Sequence, residues 1–290
     1  MKTKVLTFFF GVSAVFLGFL CSPLHAQYSG DTWQKAGSSG SGMISLAYVE
    51  TPGFVYKDNA GNLTGICVDI MRDFVSYVGE KKGVKLSVQF VGDGSSFGGM
   101  YNNVKGSQGG VFGLGNITIT PARKKEIKFS PPFITNFAIL VTQNSVPTLN
   151  SLNEISKTFA GLTAYTAKGT LNDKRLADLK SKYYPDMKVA YASSSPETLE
   201  KVLSDPKSFS YLDLAFYLDA VQRRQPLKRH PVGDQSSEQF GFIMPMNSDW
   251  QPLMEEFFAA DGGYTNSMAY KKILSKHLGD TGVKLLQTKR

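Results

Sequence analysis

The residue types best suited to chemistry lie close together in Gly115-Asn116-Ile117-Thr118-Ile119-Thr120-Pro121-Ala122-Arg123. Thr120 fits the N-cap of a helix and Pro121 its first position, so a hydroxyl, free backbone N–H groups and the Arg123 guanidinium would gather at one point. Such a point suits a carboxylate, because the guanidinium can hold it bidentately and a helix start favours negative charge. An ordinary capped helix with a solvated arginine fits the same spacing. Asp213, directly before an apolar helical run at Leu214, reads on spacing as another N-cap.

Two further arrangements are weaker. Gly94-Ser95-Ser96-Phe97-Gly98 has the Gly-x-Ser-x-Gly form of a nucleophile elbow after a strand. Gly92-Asp93 loosens that junction, and only His230 and His277 beyond residue 26 could act as base, so a glycine-rich turn explains it better. Cys67 is the single cysteine beyond residue 26, which forbids an intramolecular disulfide and reads as a packed thiol. The scarcity of His and Cys also argues against a zinc site. No metal or cofactor is expected.

Positioning such residues takes an alternating set of strands and helices. Strands are expected over 44–49, 85–91 and 111–119, helices over 68–78 and 97–104, and hairpin-like turn chemistry over 58–62. An extended segment, 137–143, follows, and the pattern restarts with strands at 161–165, 187–191 and 209–212 and helices at 171–184, 196–203 and 214–223. A second extended segment, 239–245, precedes helices at 250–258 and 267–278. Two α/β units joined by two extended crossings predict a two-lobed α/β fold that bends at the crossings, with ligands at the strand ends. The division expected is lobe 1 over 43–138 plus 245–290 and lobe 2 over 139–244, with residues 27–42 as a polar N-terminal arm.

The first 26 residues form a separate object. Lys2 and Lys4 precede the uncharged run Val5–Leu20, and Ala26 ends the segment, as in a secretory signal peptide. The run is shorter than the ~20 residues that span a bilayer. Lipid anchoring at Cys21 is disfavoured because Leu20 stands where a small residue is wanted. The leader holds two of the 32 basic residues and none of the 24 acidic ones, so the remainder carries +6. These charges are dispersed, which argues against a nucleic-acid partner. A soluble exported protein, monomeric, is the expectation.

The run GNITITPARKKEIKFSPPF (residues 115–133) resembles the signature of the family 3 extracellular solute-binding proteins, the polar-amino-acid receptors of ABC importers. GNLTGICVDI (61–70), KGT (168–170) and DGGYTNSMAYKKILSKHLG (261–279) extend the similarity over nearly the whole chain from Met43. The resemblance implies a type II periplasmic binding-protein fold, a periplasmic location and an ABC permease as partner. It implies that Arg123, helped by Thr118 and Thr170, grips a ligand carboxylate. Asp213 and the Gly115 carbonyl would take the ammonium, with Phe97 as an aromatic wall and Phe54 and Tyr56 lining the cleft. Departures from the family pattern are Asn116 where glycine is common, Gly109-Gly110 without an aspartate, and a first loop, YVETPGFVYK, that carries Glu50 in place of a double proline. Asn116 therefore enters the expected ligand site, and Glu50 would face either a cationic side chain or water. The function implied is capture of an amino acid by hinge closure without chemistry. The alternatives are a secreted dehydratase of prephenate-like acids, with Asp213 or Glu50 as acid/base, and a sensory binding module.

Overall fold

The structure, a computed structural model, describes residues 28–287. The leader expected over residues 1–26, its cleavage after Ala26 and the Cys21 thiol lie outside the described residues. Residues 28–42, expected as a polar arm, are instead built into the fold. Helix α1 (Trp33–Ser39) begins at Thr32, whose hydroxyl accepts from the Lys35 N–H, and stops at Gly40 in the left-handed region. The run WQKAGSS has weak helix propensity, so packing makes the helix. Asp249 accepts from the Trp33 and Gln34 N–H groups, and the Trp33 and Trp250 rings meet edge to face at 5.4 Å.

The chain continues through β1 (Ser41–Val49), the short hairpin of β2 (Tyr56–Lys57) and β3 (Leu63–Thr64), α2 (Ile66–Lys82), β4 (Lys85–Gly94), α3 (Phe97–Lys105), β5 (Val111–Leu114) and β6 (Lys128–Phe129). It then forms β7 (Ile134–Gln143), α4 (Ile155–Thr158), β8 (Thr163–Ala167), α5 (Leu171–Tyr183), β9 (Lys188–Ala192), α6 (Ser195–Ser204), β10 (Ser208–Asp213), α7 (Leu214–Gln222), β11 (Leu227–Arg229) and β12 (Gln235–Phe240). It closes with β13 (Ile243–Met244), α8 (Gln251–Ala259) and α9 (Met268–Gln287).

Two sheets result, each the centre of a lobe. The first has the order β4-β1-β5-β13-β6, with β1 parallel to both β4 and β5. The second has the order β11-β7-β10-β8-β9, with β12 also antiparallel to β7. The chain changes sheet between β6 and β7 and again between β12 and β13. The two crossings bind each other: Ser130 N donates to Phe242 O at 2.9 Å, Phe242 N to Ser130 Oγ at 3.0 Å and Phe133 N to Phe240 O at 3.0 Å. The Phe133 and Phe242 rings stack between them at 4.8 Å.

Helix α2 buries Ile66, Ile70, Met71, Phe74 and Val78 against the first sheet. Its start requires glycine: Gly65 has φ 126°, and a Cβ there would meet the Phe54 carbonyl oxygen at 2.2 Å. Helix α9 bends at Gly279 (φ 66°, ψ 174°). At the bend α9 meets α7, where Gln222 Nε2 donates to Leu278 O at 3.3 Å, and beyond it a Cβ on Gly282 would meet Leu218 at 2.9 Å. Among the described residues no helix is long and apolar enough to cross a membrane.

The second lobe is pinned by His230, which is fully buried. Its Nδ1 accepts from the Leu149 N–H at 3.0 Å, leaving Nε2 to donate to Thr142 Oγ1 at 2.8 Å. Burial, with Lys228 nearby, pushes its pKa down from 6.5 to about 4. Unfolding therefore takes up a proton between these values: the stabilisation is complete above pH 6.5 and is lost as the pH falls toward 4. Denaturant titration of the wild type is expected to show a loss of roughly 3 kcal/mol from this group between pH 7.5 and 4. His230→Asn should be less stable at pH 7.5 and show a correspondingly smaller loss on acidification.

Candidate functional site

The carboxyl ends of the parallel strands converge between the lobes, as expected for open α/β sheets. From the first sheet come Glu50 and Thr51 after β1, Ser95–Phe97 after β4, and Asn116 and Thr118 after β5; from the second come Lys168–Asn172 after β8, Ser193–Ser195 after β9 and Asp213 at the end of β10. They line a cleft of about 610 Å³. Of the eight residues expected in the site, Arg123, Thr118, Asp213, Thr170, Phe97 and Asn116 line this cleft.

Two of the eight do not. Phe54 is 4% exposed and packs against Phe133 at 6.3 Å and Phe240 at 5.6 Å, so it braces the crossings instead of facing a ligand. Gly115 is turned away: its carbonyl accepts the Cys67 thiol hydrogen at 3.6 Å. That thiol is fully buried and its pKa is pushed far up by burial, as suits a packed group. Tyr56, also expected in the cleft, instead meets His277 Nδ1 at 3.0 Å on the wall of a neighbouring cavity of about 810 Å³. The lysine and the arginine of that larger cavity are already ion-paired, Lys57 with Glu50 at 3.0 Å and Arg223 with Asp219 at 3.1 Å. Glu50 thus meets a lysine of its own loop.

Arg123 lies on a single 3-10 turn, Arg123–Lys125, where a longer helix was expected. Thr120 still caps it, accepting from the Arg123 N–H at 3.1 Å. An anion site made by a helix dipole is therefore absent, and the guanidinium is left as the anion-binding group. It is held by cation–π contacts at 4.9 Å from the Phe97 ring centre and 5.7 Å from Tyr101, and by one bond from Nη1 to Thr118 O at 2.9 Å. Among the described residues no carboxylate forms a salt bridge with it. Burial weakens its charged form, while the nearby Glu238 and Asp213 favour it.

Asp213 occupies the N-cap position of α7 without capping it. Asn136 does that work, its Oδ1 accepting from the Leu214 N–H at 3.3 Å. The carboxylate instead collects amide donors: Asn136 at 3.2 Å and Asn172 at 3.5 Å on Oδ1, and Asn116, from the other lobe, on Oδ2. Burial, with Glu238 nearby, raises its pKa against the pull of Arg175 and of the Asn136 and Asn172 amides. Thr170, at the start of α5, accepts from Asp173 N at 3.3 Å and donates to Ala167 O at 2.8 Å.

Arg175 escaped the sequence reading. It lines the cleft only 5% exposed, ion-paired with Glu238 on β12 and donating to Asn172 Oδ1 at 2.6 Å. A signal was present: Asn172, Arg175, Leu176 and Leu179 recur at i, i+3, i+4 and i+7, the spacing of a buried helix face. The adjacent Lys174, exposed and paired with Asp178, made the run look solvated.

Residues 44–280 match the bacterial extracellular solute-binding proteins, family 3. Among solved structures, the chain is similar to an ancestral arginine-binding protein bound to arginine, with a TM-score of 0.64 and 20% identity over 82% of this chain and 98% of that one. It is similar also to a putative binding component of an ABC transporter from Wolinella succinogenes complexed with lysine, with a TM-score of 0.66 and 18% identity over 82% and 97% of the two chains. A third is an ancestral amino acid-binding protein, a precursor of cyclohexadienyl dehydratase, with a TM-score of 0.62 and 20% identity over 84% and 98%. These likenesses establish the two-lobed type II periplasmic binding-protein fold.

The Arg175–Glu238 pair joins α5 to a strand that leads into a crossing. Breaking one partner of such a pair leaves a charge uncompensated, whereas replacing both removes the problem. Glu238→Gln is expected to cost about 2 to 3 kcal/mol in urea denaturation, Glu238 being partly exposed, and the double replacement Arg175→Met with Glu238→Leu to cost less.

Proposed function

Because the chain belongs to family 3 of the bacterial extracellular solute-binding proteins, we propose that it captures an amino acid between its lobes and hands it to an ABC permease. One observation carries this reading: an arginine that has no carboxylate partner among the described residues and a half-buried carboxylate are presented to the same cleft from opposite lobes. A zwitterion is the small solute that satisfies both at once. Arg123 takes the carboxylate as a bidentate clamp, its plane held by Phe97 and Tyr101, with Thr118 and Thr170 at the edges. Asp213 takes the ammonium. Neither charge is fully stabilised until both lobes contact the ligand, so binding free energy favours closure.

The bending points of this reading are residues 130–133, a few residues before the segment 137–143 expected from sequence, and 241–242, within the expected segment 239–245. Closure would bring residues of both lobes into one surface for the permease. Export under the residue 1–26 leader and a periplasmic location belong to the same reading, supported by the extracellular family. Similar proteins hold arginine and lysine in the solved structures named above.

A second reading is favoured by one feature: a half-buried carboxyl whose pKa burial raises, lining the same cleft as an arginine, is also what an acid-catalysed dehydratase needs. Native mass spectrometry and thermal shift on residues 27–290 with the twenty amino acids and prephenate distinguish the two. A bound, unchanged amino acid that raises the melting temperature is expected; consumption of prephenate with no amino-acid shift overturns the transport reading.

Arg123→Ala should weaken binding of the amino acid so identified by at least about 2 kcal/mol, since it leaves a carboxylate without a partner in a water-poor cleft. Calorimetry with unchanged affinity removes Arg123 from the site. Asp213→Asn should harm amino-acid binding more than binding of the des-amino analogue, and equal losses discard its ammonium role.

A further inference from the structure

Among the described residues the half-buried carboxylate of Asp213 forms no ion pair. Arg175, the nearest compensating charge on its own lobe, is engaged by Glu238 and Asn172. Three neutral amides supply the hydrogen bonds instead. Two of them, Asn136 on β7 and Asn172 on α5, share the lobe of Asp213 and approach the same oxygen, Oδ1. Asn116 alone approaches Oδ2, and it comes from the first lobe, two residues past β5. Its other amide atom is anchored there: Asn116 Oδ1 accepts from the hydroxyl of Thr51, which is 1% exposed. The chain Thr51, Asn116, Asp213 is thus a continuous hydrogen-bonded path from one lobe to the other across the floor of the cleft.

We propose that Asn116 is an internal competitor for the ligand's ammonium, tying the lobes together by donating to the carboxylate oxygen that the ammonium must take. The inference rests on the reading of Asp213 as the ammonium acceptor. A ligand entering this cleft displaces the Asn116 N–H from Oδ2 and replaces a neutral donor by a charged one. The exchange is favourable but is offset by the bond given up, so the apparent affinity is lowered by the population of the latched state. Asn116 therefore sets how tightly the protein binds and excludes solutes whose donor at that position is no better than an amide.

The test uses Asn116→Ala in the chain from residue 27, with circular dichroism to verify the fold. Small-angle scattering without ligand is expected to show a larger radius of gyration for the variant than for the wild type. The twenty L-amino acids are then titrated into both proteins. Any that binds the wild type should bind the variant more tightly, by about ten-fold for the loss of one hydrogen bond to a charged group. Identical scattering of the two unliganded proteins overturns the latch, and weaker binding by an unchanged unliganded conformation makes Asn116 a direct ligand contact instead. If Asp213→Asn fails to discriminate against the ammonium while Asn116→Ala still opens the protein, the ammonium reading falls, the competitor role falls with it, and only the cross-lobe bond remains. If no amino acid binds either protein, the amino-acid cargo and the competition are both overturned.

Discussion

A carboxylate carried out of water must be met by donors, and Asp213 organises its surroundings on that demand. Removing an ionised group from solvent without compensation costs several kcal/mol, so the neighbours of a buried acid are rarely arbitrary. Here three asparagine side chains turn toward it. One of them also relieves Asp213 of its local duty by capping α7, which frees the carboxylate to face the cleft from the end of β10. The opposite charge, Arg123, solves the matching problem differently, by lying on two aromatic faces and leaving its hydrogen-bond fork largely open. Polar satisfaction in one lobe and aromatic support in the other thus prepare a gap between unlike charges.

The gap can only exist because the chain changes sheet twice and no more within the cleft's back wall. Ser130 and Phe242 tie the two crossings into a short ribbon, and the Phe54, Phe133, Phe240 and Phe242 rings fill the space beside it. This ribbon is continuous with β7 and β12, the strands that carry Asn136 and Glu238. A rotation at the crossings therefore acts close to the groups that hold Asp213 and Arg175 in place.

The alternation of strands and helices was legible in the sequence because buried strands and amphipathic helices keep distinct periods. The first strand set, the helix at α2 and the restart of the pattern in the second lobe all follow from that periodicity. What escaped it depends on contacts distant in the chain. Helix α1 exists because Asp249 and Trp250, more than two hundred residues away, receive it. Phe54 and Tyr56 carry the same signal as cleft aromatics, and only the packing of the crossings and of α9 decides where each ring goes. The predicted helix at Thr120 was cut to one turn, although its cap formed, since the chain re-enters the first sheet at β6, which pairs with β13. Arg123, Thr118 and Asp213 could be placed from residue type, spacing and resemblance. Arg175 needed its partner, which no local pattern names.

The bend at Gly279 gives the end of the chain a mechanical role. The body of α9 packs with α2 and the first lobe, while its last turns press on α7 of the second, where Gly282 admits Leu218 with no space for a side chain. A third strap, held by packing and not by strand connections, consequently bridges the lobes, and Tyr270 on its body reaches the first crossing by donating to Phe133 O. Were the lobes to swing, the terminal turns would ride with α7 while the rest of the helix stayed behind, and the mismatch would fall at one glycine. Gly279 is in that sense a torsional joint, and its stiffness is a setting of the opening angle that can be changed without touching the cleft.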